Sequence, residues 1–484
     1  MTAPLAELES TMEPIEAGRR LTSQVVDRYA RPGPRYTSYP PIPFWDPEVG
    51  EDDYRAALAR AGEAKDEPLA IYVHLPFCAA RCSYCGCNAT VTNREEVVDV
   101  YLDRVVREIE MVEGLVGRGR AISQLHLGGG TPNFLTNAQM ARLWERLDTA
   151  FDLSTASERS LEIDPRIATP EQVAFYRSLG FDRISLGVQD VDPQVQRAIG
   201  RIQPESLTRQ IYYAAREAGF GSVNLDLVYG LPFQTPEVFN RTLDVMVELR
   251  PDRLACFSYA HLPHLRPNQK QVDASGLPET PWEKMKLFRL SVERLTEAGW
   301  TWIGMDHFAL DDDEMARALR ERRLHRNFMG YVERPTPHLV AFGCSGIGEV
   351  GGLQAQTEVK LGRYQKSLDA GSFPIVRGHR LTDDDRRRRK AIYQLLCNLE
   401  LPTRLLDAAV GESGEHLPAL DESREGLDRC VREGLLEMEG ESYRVSGLGR
   451  WFLRNVCMEL DAYLPRTAAP QVDGPSPRRF SMTV

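Results

Sequence analysis

The feature that most constrains the fold is a regular alternation of short apolar runs with amphipathic helices between about residues 68 and 310. Short runs rich in Val, Ile, Leu and Tyr predict buried strands, and the segments between them have helical periodicity. Strands that alternate with helices pair in parallel through right-handed crossovers, so the pattern predicts an α/β fold with a full or partial (β/α) barrel. The predicted strands are residues 69–75, 123–127, 160–163, 183–188, 222–230, 253–260 and 301–305.

Helix start signals support this division of the chain. Thr136 and Gln139 have the spacing of a capping box, and Thr169 with Gln172 repeats that spacing around a proline in the first turn. Gly180 is placed to end the second of these helices in a left-handed conformation. Active groups of parallel sheets lie just after the carboxyl ends of the strands, and the motifs below follow predicted strands.

Changes in pattern along the chain predict four segments. Residues 1–55 are expected to be an N-terminal arm, largely extended, and residues 56–375 the barrel domain. Residues 376–465 read as a mainly helical C-terminal domain with a small hairpin around Glu439-Gly440 that resembles a winged-helix module. Residues 466–484, rich in Pro, Ser and Arg, are expected to be a disordered tail.

Charge and hydropathy exclude several classes of function. The chain has 70 acidic and 59 basic residues, a net charge of −11, which disfavours nucleic acid as its partner. No apolar run reaches the roughly 18 residues of a membrane span. The N-terminus lacks the basic and apolar regions of a signal peptide, so a cytoplasmic location is expected. Nine cysteines, an odd number, do not indicate a disulfide framework.

Four of these cysteines lie within ten residues and directly follow the first predicted strand: Cys78, Cys82, Cys85 and Cys87. Structural zinc sites usually combine two separated knuckles, and no second knuckle follows downstream. A CxxxCxxC loop offers three thiolates, enough for three irons of a [4Fe–4S] cluster whose fourth iron stays open to a ligand. Cluster binding is the favoured interpretation, and zinc is the alternative.

Two further features follow predicted strands. Gly128-Gly129-Gly130 lets backbone groups approach a ligand closely, although a tight turn explains a glycine triplet equally well. Glu162 places a carboxylate at a strand end, where it either forms a salt bridge or contacts a cationic ligand.

The cysteine loop, with an aromatic residue before its third cysteine, resembles the signature of the radical S-adenosylmethionine (SAM) family. The surrounding chain resembles the oxygen-independent coproporphyrinogen III oxidases of that family over about 430 residues. The motifs that carry this resemblance are PRYTSYP, YVHLPFC, CGCN, QLHLGGGTP, EIDPR, LGVQD, NLDLVYGLP, SYAHLP, GMDHFA, HRNF and NVCMELDAYL.

The resemblance implies a set of cofactor-binding residues. Cys78, Cys82 and Cys85 would ligate one [4Fe–4S] cluster, and Cys87 would not. Two SAM molecules are implied. The SAM on the cluster would contact Tyr72, Gly129, Glu162 and Ile347. The second would contact Tyr84, Gly130, Thr131, Gln189, Arg201, Asp226 and Ala260.

The resemblance also implies a reaction. A 5′-deoxyadenosyl radical from SAM would initiate decarboxylation of two propionates of coproporphyrinogen III to vinyl groups, giving protoporphyrinogen IX in haem biosynthesis. An unidentified one-electron donor and a monomeric state are expected. Arg35, Arg166 and Arg326 are candidates for binding substrate carboxylates, although surface roles are common for arginine.

Two other functions on the same scaffold remain open at this point. A haem-binding chaperone of the superfamily would share the cluster loop, but that branch lacks the Cys85-Gly-Cys87 arrangement and the terminal motifs. A radical SAM methyltransferase or cyclopropane-forming enzyme is the other alternative. It is favoured by departures from the family pattern between residues 329 and 348, such as Met329 where Gln is common.

Overall fold

The computed structural model describes residues 13–465 and 480–483. The helices of these residues are α1 Pro14–Arg19, α2 Ser23–Tyr29, α3 Glu51–Glu63, α4 Glu95–Val116, α5 Asn137–Ala150, α6 Pro170–Leu179, α7 Pro193–Ala198, α8 Glu205–Glu217, α9 Pro236–Leu249, α10 Pro281–Glu297, α11 Glu314–Arg320, α12 Leu361–Asp369, α13 Asp383–Asn398, α14 Asp421–Arg432, α15 Gly447–Trp451 and α16 Leu453–Met458. The strands are β1 Leu69–Leu75, β2 Phe77–Cys78, β3 Thr90–Val91, β4 Arg120–Gly129, β5 Phe151–Asp152, β6 Glu158–Ile163, β7 Arg183–Gln189, β8 Ser222–Tyr229, β9 Arg253–Ser258, β10 Trp300–Gly304, β11 His307–Leu310, β12 His325–Asn327, β13 Gly330–Val332, β14 His338–Phe342, β15 Ile347–Val350, β16 Leu353–Thr357, β17 Ile375–Arg380, β18 Glu400–Pro402, β19 Ala409–Val410, β20 His416–Leu417, β21 Leu436–Glu439 and β22 Ser442–Val445.

The chain divides into two compact units. The barrel unit comprises residues 45–277 and 335–380, and the second unit comprises residues 278–334 and the described residues of 1–44 and 381–484. The four segments expected from the sequence stay a prediction, and this grouping follows other boundaries. Residues 278–334 fall within the predicted barrel range, yet their helix α10 packs on α1 and α2 of the second unit.

The barrel unit is built on parallel strands in the order β14-β1-β4-β6-β7-β8-β9. Helices α4, α5, α6, α8 and α9 lie between successive strands along the chain. Strands β15, β16 and β17 extend this sheet beyond β14 in antiparallel order. The predicted α/β fold with a partial barrel is therefore confirmed.

Two strands differ from the prediction. Strand β10, which was expected to belong to the parallel series, forms an antiparallel hairpin with β11 across Met305-Asp306. Such a short connection cannot cross over a sheet, so it forces the antiparallel arrangement. Strand β14, which the sequence analysis did not predict, is the parallel partner of β1.

Local signals set the helix starts. Thr136 and Gln139 form the predicted capping box, with the Gln139 N–H donating to Thr136 Oγ1 at 3.2 Å and the Thr136 N–H to Gln139 Oε1 at 3.0 Å. Gly180 ends α6 with φ of 115°, as predicted. The prediction of a second capping box, at Thr169 and Gln172, is wrong. The Gln172 side chain donates instead to the carbonyls of Asn133 and Leu135 at 3.1 and 3.4 Å.

The second unit contains the described part of the predicted arm up to residue 44. The first half of this arm is helical rather than extended, because α1 and α2 form there. The proline-rich stretch that follows lacks regular structure and packs on the C-terminal part of the unit. Tyr36 Oη donates to Asp461 at 3.0 Å, and Arg454 Nε donates to the Pro34 carbonyl at 3.0 Å.

The C-terminal part has the predicted hairpin around Glu439-Gly440, formed by β21 and β22 and extended by β18. Of the expected disordered tail, residues 466–479 and 484 lie outside the described residues. Residues 480–483 are described, and the Thr483 N–H donates to the Arg31 carbonyl at 2.8 Å. Across the described ranges, no helix combines the length and apolar character needed to cross a membrane.

Candidate active site

A cavity of about 560 Å³ opens at the carboxyl ends of the parallel strands in the barrel unit. This volume lies within the roughly 300–1,000 Å³ of small-molecule sites. The predicted site residues that line it are Cys78, Cys82, Tyr84, Cys85, Gly129, Gly130, Thr131, Glu162, Gln189, Arg201, Asp226 and Ala260. The fold thus brings together residues from motifs that are far apart in the sequence.

Two predicted SAM contacts do not line this cavity among the described residues: Tyr72 and Ile347. Tyr72 lies on β1, where its hydroxyl is 3.0 Å from His74 Nδ1 and its ring stacks on His126 at 5.9 Å. Ile347 is buried on β15, opposite Gln356 of β16. The SAM contacts of Tyr72 and Ile347 therefore stay predictions.

The cysteine loop begins where β1 ends. Strand β2, which contains Cys78, pairs in parallel with β3, so the two ends of the loop are joined. Arg81 Nη1 donates to the Ala89 carbonyl at 2.7 Å, and the Ser83 N–H donates to the Ile199 carbonyl at 2.9 Å. These bonds hold the cysteines over the strand ends.

Two amide side chains that the sequence analysis missed anchor the same loop. Asn268 Nδ2 donates to the carbonyls of Cys82, Ser83 and Cys85 at 3.2, 3.0 and 2.9 Å. Gln269 Nε2 donates to the Tyr84 carbonyl at 2.8 Å. Their only sequence signal is a pair of adjacent amides after a proline, in the short 3-10 helix Pro267–Gln271.

The thiols of the loop lie in a polar environment. Arg166 Nη2 and Arg201 Nη1 donate to Cys82 Sγ at 3.4 and 3.7 Å, and Cys78 Sγ is 3.4 Å from Thr131 Oγ1. A hydrogen bond from Cys87, assisted by its N–H at 3.4 Å, lowers the pKa of Cys85 to about 6. Thiolates are the metal-binding form of cysteine, so this environment favours ligation at Cys85, whereas burial raises the pKa of Cys78.

The chemistry of the donor set fits a [4Fe–4S] cluster. The cysteines of a cubane cluster each bind a different iron through a thiolate. Cys78, Cys82 and Cys85 offer three thiols to one cavity.

Asp164 lies between two arginines beside Cys82. Arg166 Nη2 donates to it at 2.6 Å, and Arg201 donates through both terminal nitrogens at 3.2 and 3.0 Å. Burial acts to raise the pKa of Asp164, but Arg166 and Arg201 hold it below its usual value. Asp164 belongs to the EIDPR motif, but the sequence pattern alone gave it no role.

Glu162 is held by neighbours on β4. The Gly129 N–H donates to Glu162 Oε2 at 3.2 Å, and His126 Nε2 lies 3.4 Å from Oε1. Burial acts to raise the pKa of Glu162, whereas His126 and the Gly129 N–H lower it, and the net shift is downward. Glu162 is therefore an ionised carboxylate, and its side chain is 44% exposed.

The glycine triplet is required by close backbone approach. Gly129 has φ of 113°, and a Cβ there would lie 2.5 Å from the His74 ring. A Cβ at Gly130 would lie 2.7 Å from the Phe77 carbonyl oxygen. Only glycine fits at both positions, which leaves the Gly129 and Gly130 backbone open to the cavity.

Asp226 lies on β8 in the same cavity. Its carboxylate accepts from Ser185 Oγ at 2.9 Å and Asn224 Nδ2 at 2.8 Å. Burial and the negative charge of Glu162 raise the pKa of Asp226 to about 6. A cationic ligand between Asp226 and Glu162 would relieve this repulsion.

Comparisons with known proteins show to which family the chain is similar. Residues 72–246 match the model of the radical SAM superfamily. The chain is 41% identical over 448 residues, 92% of its length and 96% of the relative, to the oxygen-independent coproporphyrinogen III oxidase of Pseudomonas aeruginosa. It is 40% identical over 450 residues to that of Escherichia coli, covering 92% and 96% of the two chains. A solved structure of the Escherichia coli coproporphyrinogen III oxidase, described as a radical SAM enzyme, superimposes with a TM-score of 0.82 at 39% identity, covering 89% of this chain and 98% of the other.

Proposed function

This chain belongs to the oxygen-independent coproporphyrinogen III oxidase family of radical SAM enzymes, and on that premise we propose how its cavity performs the reaction. The reaction is the anaerobic oxidative decarboxylation of two propionate side chains of coproporphyrinogen III to vinyl groups, which gives protoporphyrinogen IX. The family uses a [4Fe–4S] cluster and SAM. When bound, the cluster would supply the electron that splits SAM into methionine and a 5′-deoxyadenosyl radical. Removal of a β-hydrogen atom from the propionate by this radical, followed by loss of CO₂ and of one electron to an acceptor, would leave the vinyl group.

Cys78, Cys82 and Cys85 would hold the cluster. Support comes from the shared cavity, from the hydrogen bonds of Arg166 and Arg201 to Cys82, and from the lowered pKa of Cys85. Cys87 would serve as a hydrogen-bond partner of Cys85 rather than as a ligand.

The SAM on the cluster would place its ammonium group against Glu162. This carboxylate is ionised and accepts from the N–H of Gly129, which also lines the cavity. Tyr72 would orient His126, on which its ring stacks, and His126 would in turn position Glu162. Ile347 would contact the same SAM from β15.

A second SAM would occupy the rest of the cavity. Its ammonium or sulfonium would face Asp226, and its carboxylate would approach Arg201 and Arg166, whose two charges exceed that of Asp164. Tyr84 lines the cavity as an aromatic surface for adenine. The complete proposed set is Tyr84, Gly130, Thr131, Gln189, Arg201, Asp226 and Ala260.

Apolar side chains protect the same cavity from water. Val228 and Tyr259 line it and belong to a buried cluster that also includes Leu231. Tyr84 and Phe257 pack against this cluster from the cavity side. A reactive carbon radical needs such a dry, shaped site to reach one C–H bond selectively.

One observation carries the proposal: the cysteine loop, Glu162 and Asp226, from three distant motifs, border a single cavity. The test is an anaerobic assay with reconstituted protein, coproporphyrinogen III, SAM and a one-electron reductant. Protoporphyrinogen IX, CO₂ and 5′-deoxyadenosine are expected from the wild type and not from the Cys82→Ser variant. A methylated or cyclopropanated porphyrin, or SAM cleavage without decarboxylation, would contradict the proposal. The natural electron donor, a monomeric state and a cytoplasmic location stay predictions.

A further inference from the structure

Arg81 lies inside the cysteine loop, in the spacer between Cys78 and Cys82, and it lines the same cavity as both thiols. Its guanidinium reaches across the loop, where Nη1 donates to the Ala89 carbonyl at 2.7 Å and Nη2 to the Cys87 carbonyl at 3.4 Å. One planar group makes both contacts, so its position on the loop is fixed. The first spacer of the loop is thereby joined to the segment that follows its third cysteine.

The positive charge of Arg81 is not balanced by a carboxylate. Both of its acceptors are carbonyl oxygens, and no Asp or Glu pairs with it among the residues that the structure describes. Arg166 and Arg201 differ in this respect, because both bond to the carboxylate of Asp164, which cancels one of their two charges. Arg81 therefore contributes a full positive charge of its own to the cysteine loop.

This charge acts on one of the three cysteines assigned to the cluster. The hydrogen bond from Cys87 is the main cause of the lowered pKa of Cys85, and the positive charges of Arg81 and Arg201 lower it further. A cation that stabilises a thiolate also stabilises negative charge on the iron that the thiolate would bind. The reduction potentials of iron–sulfur clusters depend on such local charges.

We infer that Arg81 raises the reduction potential of the [4Fe–4S] cluster held by Cys78, Cys82 and Cys85, and that it acts through Cys85. This inference rests on the proposed function, which assigns these cysteines to the cluster. Reduction transfers one electron from an external one-electron donor to the cluster and breaks no bond. The charge of the cluster falls by one, and a nearby cation favours that change. Arg81 would thus allow a weaker reductant to reduce the cluster.

The test is an anaerobic redox titration of the reconstituted full chain without SAM. Dithionite is the titrant, redox mediators are present, and the EPR signal of the reduced cluster is the readout. Arg81→Gln removes the charge, so the ratio of reduced to oxidised cluster at a fixed potential should fall about three- to tenfold, where tenfold corresponds to 59 mV for one electron. This range is modest because Arg81 is exposed and water screens part of its charge.

Two further variants separate charge from hydrogen bonding. Arg81→Lys keeps the charge but loses the two-pronged contact, so its ratio should stay within about twofold of the wild type. Both Arg81 variants should release iron to a chelator faster than the wild type, because the loop loses the bonds to Cys87 and Ala89. Arg94→Gln is the matched control. It removes an exposed arginine just after β3 whose charge is already paired with Glu96, and it should keep the wild-type ratio.

A wild-type ratio in Arg81→Gln would overturn the inference. An equal decrease in Arg81→Gln and Arg81→Lys would overturn it as well, because the effect would then come from lost hydrogen bonds. The ratio is measured per bound cluster, and Arg81→Met gives the same comparison if Arg81→Gln retains no cluster. Failure of the proposed function looks different. In that case the wild type makes no protoporphyrinogen IX, yet the ratio still falls in Arg81→Gln and not in Arg81→Lys.

Discussion

Both terminal nitrogens of Arg201 donate to the carboxylate of Asp164, at 3.2 and 3.0 Å, and Nη1 also lies 3.7 Å from Cys82 Sγ. Arg201 follows α7, Asp164 follows β6 and Cys82 lies after β1, so this contact ties three separate parts of the barrel unit together. Arg201 therefore contacts the cysteine loop and also borders the space proposed for the second SAM.

Replacement of Arg201 tests this dual role. Arg201→Gln leaves Asp164 paired with Arg166 alone, so we expect a loss of about 2 kcal/mol in the free energy of unfolding, less than for a fully orphaned buried charge. Decarboxylation should fall at least tenfold because the second SAM loses its carboxylate partner. Denaturant unfolding and the number of SAM molecules bound per cluster are the measurements. The exposed Arg197→Gln on α7 is the control. Retention of both SAM molecules in Arg201→Gln would argue against the assignment.

Single serine substitutions separate the cluster ligands from their neighbour. Cys78→Ser, Cys82→Ser or Cys85→Ser should lose the iron and all SAM cleavage, because each removes one of three protein thiolates. Cys87→Ser should keep the visible iron–sulfur absorption and the iron content. Equal loss of iron in all four variants would show that Cys87 is a ligand.

The raised pKa of Asp226 predicts a pH dependence. With a pKa of about 6, Asp226 loses its negative charge as the pH falls from 7.5 to 5.5, and affinity for the cationic second SAM should fall with it. Asp226→Asn should bind this SAM weakly at every pH, whereas the SAM on the cluster should be retained. Binding of labelled SAM across this pH range is the measurement, with the exposed Asp148→Asn as control. A pH dependence that persists in Asp226→Asn would assign the titration to another group.

Glu108 predicts a second pH effect, on stability. It is 1% exposed and accepts from the Gly343 N–H at 2.8 Å and Tyr364 Oη at 2.7 Å. Burial raises the pKa of Glu108 from 4.5 to about 7 in the folded protein. Its contribution to the free energy of unfolding is therefore fully present below pH 4.5 and is lost as the pH rises through 7.

The uncharged Glu108→Gln variant should therefore lose less stability than the wild type between pH 5 and 8. The difference corresponds to roughly 1.4 kcal/mol for each unit of pKa shift. Urea unfolding at several pH values measures it, and the exposed Glu110→Gln on the same helix is the control. Parallel stability curves for the wild type and Glu108→Gln would refute the prediction.

Asn268 should matter to the cluster loop although it binds no cofactor. Asn268→Ala removes three hydrogen bonds to the carbonyls of Cys82, Ser83 and Cys85, about 1–3 kcal/mol for buried acceptors left unpaired. We expect faster loss of iron to a chelator and lower activity, with normal thermal unfolding of the rest of the chain. The exposed Asn93→Ala is the control. Unchanged iron release would mean that Gln269 and the Ser83 backbone bond suffice.

Features encoded over a few neighbouring residues could be predicted from the sequence. Strands β1, β4 and β6–β9 were visible as apolar runs because buried parallel strands are apolar on both faces. The Thr136 cap and the Gly180 helix end depend on backbone groups within four residues. The spacing of Cys78, Cys82 and Cys85 is equally local, since one short loop presents all three thiols.

Features that depend on distant partners could not be predicted from the sequence. Gln172 has the spacing of a capping box but finds better-placed acceptors at Asn133 and Leu135. Asn268 and Asp164 looked like ordinary loop residues, and their partners are 183 to 186 residues and 37 residues away, respectively.

The physical reason is the difference in range between the two kinds of interaction. Backbone geometry, capping and loop spacing are decided by neighbours in the chain, so the sequence by itself determined most of the parallel barrel strands and the cysteine loop. Burial and the pairing of charges are decided by whatever the fold brings within about 4 Å. Only the tertiary structure could therefore decide that Arg201 is already paired with Asp164 and that Asn268 is bonded to the cysteine loop.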